Sequence, residues 1–398
     1  MAELYVRAGK VVTPSAVVQD GAVRVEDGRI AAVGAAAAVV PSHPALGITV
    51  LAGPVLMPGF IDLHVHGFGG RGLGESADAA LEASRRVAAT GVTTWYAGLG
   101  HGSSLEEVER SVAEAASVVG TRTGGARLAG IFMEGPYISV EKRGAWPAAN
   151  LRRPSVEELR RLVEAAAGTI RRVNVAPELE GALAFVRAAR EAGIVVSLGH
   201  SNATYEEALA GIEAGATVAN HTFNAMSGLD QRRPGLVGAV LARDDLFAEL
   251  ILDGVHVHPA AARALFRARG QEGVVLVTDG SPLTGMPEGN YERGGRTLVV
   301  AGGACRLPDG TLAGSVSSFD RDLRNARAWL TDDLTALAAM SSGNAARAMG
   351  IDRETGAIAP GLRADLALLD DDFTVLATVV AGEVVFEAAQ RRAEARHD

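Results

Sequence analysis

The segment that decides the fold is Pro58-Gly59-Phe60-Ile61-Asp62-Leu63-His64-Val65-His66-Gly67. Its apolar residues predict a buried strand that ends in two histidines one residue apart. Because side chains alternate faces along a strand, His64 and His66 point to the same side. Two imidazoles that reach one point are suitable ligands for a divalent transition metal. From this motif alone, two strand-end histidines that only form hydrogen bonds are an equal alternative.

Composition limits the class of protein and its partners. The chain has 398 residues and is 48% hydrophobic, which allows one large domain and a smaller one. A formal net charge of −9 without a basic block argues against nucleic acid as a partner. The first 20 residues lack the apolar core of a signal peptide, and the run 35–40 is too short to cross a bilayer. The single Cys305 fits a reducing compartment, so we expect a cytoplasmic protein without a membrane partner.

Strand and helix patterns divide the chain into two parts. Both ends have short strands separated by turns, and neither end can close a core alone, so we expect one small β-sandwich built from both termini. Between them, strands alternate with helical stretches, which predicts a (β/α)8 TIM-type barrel of the α/β class. We assign 1–56 and 357–398 to the β-sandwich and 57–356 to the barrel. The eight predicted barrel strands are Val55–Val65, Val92–Leu99, Leu128–Met133, Val173–Ala176, Ile194–Leu198, Thr217–Ala219, Phe247–Leu252 and Val274–Thr278.

Polar residues recur where these strands end. A barrel places the carboxyl ends of all its strands on one rim, where such enzymes have their active sites. A single strand-end histidine is more often structural, and a strand-end aspartate often caps a helix. The occurrence of so many together favours one functional site. The strand-end residues are His64, His66, Glu134, His200, His221, His256 and Asp279.

This residue set predicts metal-assisted hydrolysis of an amide. Mixed imidazole and carboxylate ligation suits zinc, iron or another divalent ion, and Glu134 is placed to bridge two ions. Such an ion lowers the pKa of bound water towards ~7. Asp279 would act as the general base and return the proton to the leaving amine. His256 would stabilise the substrate carbonyl as its oxygen gains charge. The predicted metal ligands are His64, His66, Glu134, His200, His221 and Asp279.

Further motifs lie along the chain in a consistent order. They are EGPY at Glu134, GHSNATY at Gly199, HTFNAM at His221, RRPGLVGA at Arg232, DGVHVHP at Asp253, VTDG at Val277 and GTLAGS at Gly310. With the opening segment, they resemble the amidohydrolase superfamily and, more narrowly, the N-acetylglucosamine-6-phosphate deacetylases. The flanking segments DGRIAAVG and GLRADLALLD resemble the small β domain of the same family. The resemblance covers nearly the whole chain.

The resemblance implies metal binding by Glu134, His200 and His221, and a second ion where His64 and His66 are both present. Zinc is the first expectation, with iron or another divalent metal as alternatives. It also implies that Asp279 is the catalytic acid/base and that His256 contacts the substrate. Other implied substrate contacts are Ala145, Trp146, Asn224, Ala225, Leu312 and Ala313.

The resemblance further implies a homodimer in which Arg232 reaches the partner's active site and binds the phosphate of a phosphorylated amino sugar. A guanidinium suits this role, because it binds phosphate through paired, charge-assisted hydrogen bonds. From the residues alone, Arg232 and its neighbour Arg233 would be solvated loop charges.

Three segments depart from the family pattern. The family usually carries Lys/Arg-Gly-Ala-His after the EGP motif, and that histidine contacts the ligand, whereas here Ala145 is followed by Trp146. Trp has one N–H donor, no basic nitrogen and more bulk than His. The second strand ends in Gly100-His101 where a Pro-Thr type sequence is expected, and His101 has no family role. The segment after GTLAGS, at 316–320, also differs from the usual Leu-Thr-Met-Asp.

Three functions follow as hypotheses. The first is metal-dependent hydrolysis of the N-acetyl group of N-acetylglucosamine-6-phosphate, giving glucosamine-6-phosphate and acetate. The second keeps the deacetylase reaction but changes the N-acyl amino sugar, because Trp146 replaces the usual histidine. The third is a non-catalytic sugar-phosphate-binding protein, which would be expected to lack a ligand or the acid/base residue. The sequence leaves open the metal's identity and number, and glucosamine versus galactosamine.

Overall fold

The computed structural model describes residues 4–41 and 49–389, in which strand–helix pairs lie between two groups of strands. In chain order the strands are β1 (Leu4–Val12), β2 (Val17–Glu26), β3 (Arg29–Ala35), β4 (Thr49–Pro58), β5 (Phe60–Val65), β6 (Gly67–Phe68), β7 (Arg71–Gly72), β8 (Val92–Leu99), β9 (Arg127–Met133), β10 (Ile170–Val175), β11 (Val195–Leu198), β12 (Val218–Ala219), β13 (Phe247–Leu250), β14 (Val274–Leu276), β15 (Gly289–Arg293), β16 (Arg296–Ala301), β17 (Ala304–Arg306), β18 (Leu312–Ser315), β19 (Leu366–Leu369), β20 (Val375–Val380) and β21 (Glu383–Glu387).

The helices lie mostly between the central strands. They are α1 (Ala36–Val39), α2 (Ala77–Ala88), α3 (Leu105–Ala116), α4 (Val156–Ala165), α5 (Ala182–Glu191), α6 (Tyr205–Ala214), α7 (Gly235–Ala242), α8 (Pro259–Gly273), α9 (Phe319–Trp329), α10 (Leu334–Ala338) and α11 (Asn344–Ala348). A 3₁₀ turn covers Ala148–Asn150, and a π-helical turn covers Ala339–Gly343. None of the helices in the described ranges combines the length and apolar character needed to span a bilayer.

Eight parallel strands form the predicted barrel. Their order is β5-β8-β9-β10-β11-β12-β13-β14, and a parallel bridge between Val65 and Gly280 closes the ring. The buried Asp62 carboxylate reinforces this closure, because it accepts hydrogen bonds from the Thr278 amide at 3.3 Å and hydroxyl at 2.6 Å. The (β/α)8 prediction is therefore confirmed.

Side-chain caps explain where the first barrel helices begin. Ser76, Ser104 and Ser155 precede α2, α3 and α4, and each hydroxyl accepts a hydrogen bond from the amide three residues on. Thr204 forms a reciprocal capping box with Glu207 at α6. These caps satisfy backbone amides that have no partner inside the helix, so they fix the helix start.

Both termini build one continuous seven-stranded sheet, in the order β21-β20-β19-β4-β1-β2-β3. Its edge strand β3 folds back onto the segment before β19, since the Ile30 amide donates to the Leu362 carbonyl at 2.9 Å. Alternate side chains serve two cores: Leu56 and Leu368 pack inside the folded sheet, whereas Met57 packs towards the barrel. The expected β domain from both termini is confirmed, with its layers joined in a single sheet. The proposed boundaries 1–56 plus 357–398 and 57–356 stay a prediction.

The prediction of one strand from Val55 to Val65 is wrong. The structure divides it at Gly59, where β4 ends its pairing with β19 in the terminal sheet and β5 begins its pairing with β8 in the barrel. The Gly59 amide donates to the Asp365 carbonyl at 2.9 Å. A Cβ at position 59 would lie 2.2 Å from Thr93 Cγ2, so this crossing requires glycine. The apolar run continues through the crossing, which is why the sequence did not indicate a break.

A four-stranded antiparallel sheet, β15-β16-β17-β18, follows the eighth barrel strand and was not predicted. Leu283, Leu298, Val300 and Cys305 form its small core. The Gly-Gly pairs at 294–295 and 302–303, which join β15 to β16 and β16 to β17, are hairpin signals that would have identified it. The sheet brings β16 and β18 to the rim of the barrel.

Replacing Gly59 by alanine should lower the free energy of unfolding by about 1–3 kcal/mol, because the added Cβ overlaps Thr93. Urea unfolding measures this difference. Gly34→Ala is a matched control, since a Cβ at position 34 meets only Val39 Cγ2 at 3.6 Å. Its unfolding free energy should change by about 0.5 kcal/mol or less. Equal unfolding midpoints for Gly59→Ala and wild type would contradict the close packing described at the crossing.

Candidate metal centre and substrate cavity

The structure brings all six predicted metal ligands together at the carboxyl ends of the barrel strands. His64 lies within β5 and His66 directly follows it, while the others follow the strands β9, β11, β12 and β14. The barrel strands therefore bring the whole set to one rim. The residues after those four strands are, in order, Glu134, His200, His221 and Asp279.

The donor atoms form two groups joined by Glu134. In the first group, Glu134 Oε1 lies 3.1 Å from the Nε2 atoms of both His200 and His221. In the second, His66 Nε2 lies 3.0 Å from His64 Nε2 and 3.3 Å from Asp279 Oδ1. Glu134 Oε1 is 3.3 Å from His64 Nε2, and Glu134 Oε2 is 3.3 Å from His66 Nε2. The Glu134 carboxylate thus lies between the two groups and contacts histidines of both.

The contacts of two of these imidazoles suit metal ligation. His200 Nδ1 faces the Lys142 carbonyl at 2.7 Å, and His66 Nδ1 faces the Gly98 carbonyl at 2.9 Å. A carbonyl oxygen only accepts, so Nδ1 of each ring is the donor in these contacts, and Nε2 is the nitrogen that faces the carboxylate oxygens. A metal-binding histidine typically donates its other ring N–H to a carbonyl in this way, so His66 and His200 would offer Nε2 to a divalent ion held together with the neighbouring carboxylates.

Three of the strand-end residues have a left-handed backbone. The φ angles are 49° at His200, 28° at His221 and 49° at Asp279, a region that residues with a Cβ seldom adopt. Such conformations persist only where the surroundings hold them, and they cluster at functional sites. Here they turn each side chain from the strand end into the centre of the barrel rim.

A fully buried ion pair lies beneath the donor set. The Arg172 guanidinium on β10 pairs with Glu249 on β13, and it also donates to Asn220 Oδ1 at 3.0 Å. Glu249 Oε2 in turn accepts the His221 amide at 3.0 Å and lies 3.5 Å from His64 Nδ1. Burial opposes the ionisation of Glu249, but the charge of Arg172 and its hydrogen bond outweigh burial and hold the pKa of Glu249 below its usual range. Glu249 is therefore an anion, and in this form it positions two candidate ligands, His64 and His221.

His256 is held by Asp253. Asp253 Oδ2 lies 2.6 Å from His256 Nδ1, and Asp253 Oδ1 accepts the amides of Val255 and His256 at 2.8 Å. Burial disfavours the charged imidazole, but the hydrogen bond and negative charge of Asp253 outweigh it and raise the pKa of His256. The remaining nitrogen, Nε2, is thus favoured as a proton donor towards the cavity.

A cavity of about 740 Å³ opens over the donor set. Arg232 does not line it and is exposed on a loop of this chain. His64 lies beneath the surface of the cavity, fully buried. The predicted substrate contacts that line the cavity are Ala145, Trp146, Asn224, Ala225, His256, Leu312 and Ala313.

Sequence reasoning missed several residues of this site. Arg293 and Arg296 line the cavity from the unpredicted sheet, and Lys142 lines it from the loop after β9. Arg172 and Glu249 were also missed, although charged residues inside apolar strands are a signal for a buried ion pair. Asp253 stands three residues before His256 in DGVHVHP, so the motif itself contained that contact.

Comparison with known proteins agrees with this geometry. Residues 55–385 match the model of the Amidohydrolase family. The chain belongs to the amidohydrolase family. N-acetylglucosamine-6-phosphate deacetylase of Bacillus subtilis (strain 168) is 34% identical over 97% of this chain and 98% of its own. N-acetylgalactosamine-6-phosphate deacetylase of Escherichia coli O157:H7 is 35% identical over 95% of this chain and 98% of its own.

A solved structure is similarly close. The crystal structure of N-acetyl-D-glucosamine-6-phosphate deacetylase from Mycobacterium smegmatis superposes with a TM-score of 0.89 at 35% identity, covering 96% of this chain and 100% of that one. Family membership and the convergent donor set make this protein a metal-dependent hydrolase of carbon–nitrogen bonds that uses a divalent metal.

Glu249→Gln should lower the free energy of unfolding by about 3–5 kcal/mol, because it leaves the Arg172 guanidinium buried without a counter-charge. Urea unfolding of the metal-free protein separates this effect from metal binding. The control is Glu180→Gln, which removes a partner of Arg153 from a pair exposed by about four-fifths on both sides. Its cost should be about 1 kcal/mol or less. Equal effects of the two variants would contradict the role of the buried pair.

Proposed function

We propose that this protein hydrolyses the N-acetyl group of N-acetylglucosamine-6-phosphate, releasing glucosamine-6-phosphate and acetate, and that it does so in the cytoplasm. The observation that carries the proposal is that both donor groups, one of which contains Asp279, lie with His256 at one cavity. The curated relatives named above act on acetylated amino-sugar phosphates by their names, and they are similar over almost the whole chain.

In this proposal the site residues divide the work of amide hydrolysis. One or two divalent ions, zinc first and iron as the alternative, would supply Lewis-acid activation of the acyl carbonyl and a more acidic attacking water when bound. Glu134, His200 and His221 hold one position, while His64, His66 and Asp279 hold the other. Asp279 takes the proton of the attacking water at its carboxylate and returns it to the departing amine nitrogen. His256 Nε2 donates to the acyl oxygen as negative charge develops there.

The charges around the cavity favour a phosphorylated substrate in spite of the net charge of −9. Among the described residues, neither Arg296 nor Lys142 has a carboxylate partner, and both line the cavity. Arg293 also lines it but is paired with Glu75. We assign Asn224 and Ala225 to the phosphate end, and Trp146 and Leu312 to the sugar. The cavity volume is within the range of sites for small molecules, roughly 300–1,000 Å³.

Acetate release from N-acetylglucosamine-6-phosphate by zinc- or iron-loaded protein tests the proposal. We expect turnover on the order of 1–10³ s⁻¹. Asp279→Asn should lower kcat by roughly 10²–10⁴-fold, because it removes the group that transfers the proton. Asp352→Asn, an exposed carboxylate after α11, serves as the control and should leave kcat unchanged. Wild-type turnover by Asp279→Asn would contradict the acid/base role.

The galactosamine epimer is the second candidate substrate, because a relative named for N-acetylgalactosamine-6-phosphate is as similar as those named for the glucosamine compound. The same assay with N-acetylgalactosamine-6-phosphate ranks the two by kcat/KM. Metal-loaded protein that releases acetate from neither would contradict the proposal.

We also propose a homodimer in which each Arg232 completes the partner's site. The support is its position: Arg232 is exposed and lies outside the cavity of its own chain, on a loop held by Asp230, which accepts the Arg232 amide at 2.9 Å. A phosphate-binding role for this guanidinium therefore needs a second copy of the chain.

Mixing inactive variants tests this arrangement. Arg232→Gln and Asp279→Asn subunits, each with low activity alone, should regain about a quarter of wild-type activity after unfolding and refolding together, since half of the random dimers would hold one complete site. The control is a mixture of Asp279→Asn with Glu134→Gln subunits, which should regain no activity, because each subunit keeps its own altered catalytic set and neither site of the mixed dimer is complete. Arg232→Gln protein with wild-type KM and kcat would contradict the proposed phosphate contact.

A further inference from the structure

Two of the three departures from the family pattern touch each other in the folded protein. His101 follows β8 and Trp146 lies in the loop after β9, yet their rings stack with centroids 3.6 Å apart and planes 14° apart. The family resemblance implies a substrate contact for Trp146 and no role for His101. Their contact indicates that the two departures form one unit of the cavity wall.

Trp146 is the fixed half of this pair. It is only 4% exposed, and it lies so close to the chain after Glu134 that a Cβ at Gly135 would come within 2.5 Å of its ring. The residue before it is also held, because Arg296 Nη1 donates to the Ala145 carbonyl at 2.6 Å. Trp146 therefore presents a rigid aromatic face against which a second ring can be oriented.

His101 is the half that meets the cavity. Its side chain is exposed there, and its ring lies edge-on to the ring of His66, with centroids 5.9 Å apart. Among the described residues, the contacts of the His101 ring are with the rings of His66 and Trp146, and neither of its nitrogens has a hydrogen-bond partner. An oriented imidazole with unused nitrogens next to a catalytic centre is suited to bind a polar group of a ligand.

We infer that His101, oriented by its stack on Trp146, contacts an oxygen of the bound amino sugar and takes over the role of the histidine expected at position 146. The inference rests on the proposed function. A role as an additional metal ligand is less favoured, although His101, His66 and Glu134 have donor atoms within 4.8 Å of one another. His66 Nε2 and both Glu134 oxygens already face the six-residue donor set at 3.0–3.3 Å, which leaves His101 at its margin.

His101→Ala is the first test, with kcat and KM measured on N-acetylglucosamine-6-phosphate and metal content measured on the same samples. We expect kcat/KM to fall about 10- to 100-fold for the loss of one hydrogen bond to the ligand, with unchanged metal content. Binding of glucosamine-6-phosphate, followed by calorimetry, should weaken about 10-fold and does not depend on turnover. His101→Asn serves if the alanine variant does not fold.

Variants of Trp146 distinguish a contact held by stacking from a merely structural role. Trp146→Phe keeps an aromatic face and should stay within about 3-fold of wild type, whereas Trp146→Ala should lose nearly as much as His101→Ala. The double variant with both alanines should be no worse than His101→Ala alone, because the residues act as a unit. Trp146→His in the His101→Ala background should restore kcat/KM, since it places an imidazole at position 146, where the family usually has its ligand-contacting histidine.

Several outcomes would overturn the inference. Wild-type kinetics and wild-type sugar-phosphate affinity in His101→Ala would show that the ring makes no contact. A parallel loss of metal and activity would make His101 a ligand instead. His258→Asn is the matched control, because His258 is exposed at the start of α8, and it should alter neither readout. If the proposed function itself is wrong, the metal-loaded wild-type protein will release no acetate, which distinguishes that result from a failure of the inference about His101.

Discussion

One buried cation ties most of the barrel together. The Arg172 guanidinium on β10 lies 4.0 Å over the ring of Phe132 on β9, and donates to Ser197 on β11. Its other contacts are Asn220 after β12 and Glu249 on β13. Five consecutive strands therefore meet at one charge that water cannot reach. A charge removed from water is costly unless it is fully paired, so the packing of these strands depends on all of these contacts being made together.

This constraint explains why the reactive groups are so well placed. Glu249, held by its pair with Arg172, accepts the His221 amide and lies beside the ring of His64. The left-handed backbone at His200, His221 and Asp279 then turns those side chains towards the centre of the rim. By contrast, the cavity wall is made of loops and of the added sheet β15–β18, where residues such as Trp146 and Arg296 can change without disturbing that foundation. The strand ends thus provide the groups for hydrolysis, and the loops and the sheet β15–β18 that form the cavity wall determine which substrate fits.

The sequence predicted much of this because its strongest signals were local. Apolar strands that end in His64, Glu134 or Asp279 identify a barrel rim, and the terminal strands, which cannot close a core alone, identify the second β domain. Contacts between distant segments could not be predicted in the same way. The break at Gly59 depends on the position of Thr93, and the stack of His101 on Trp146 joins residues 45 positions apart in the chain. Such pairings follow from three-dimensional packing rather than from periodicity.

The sheet built from both termini also affects the order in which the chain folds. β4 leads directly into the first barrel strand, yet its partner β19 comes about 300 residues later. During synthesis, β1, β2 and β3 can pair early, but one side of their sheet stays uncovered until the last strands leave the ribosome. All strands of the barrel ring, and Gly280 that closes it, are synthesised before the final strands of the terminal sheet. Contacts of this sequence separation are slow to form, so completion of the terminal sheet is expected as a late event in folding.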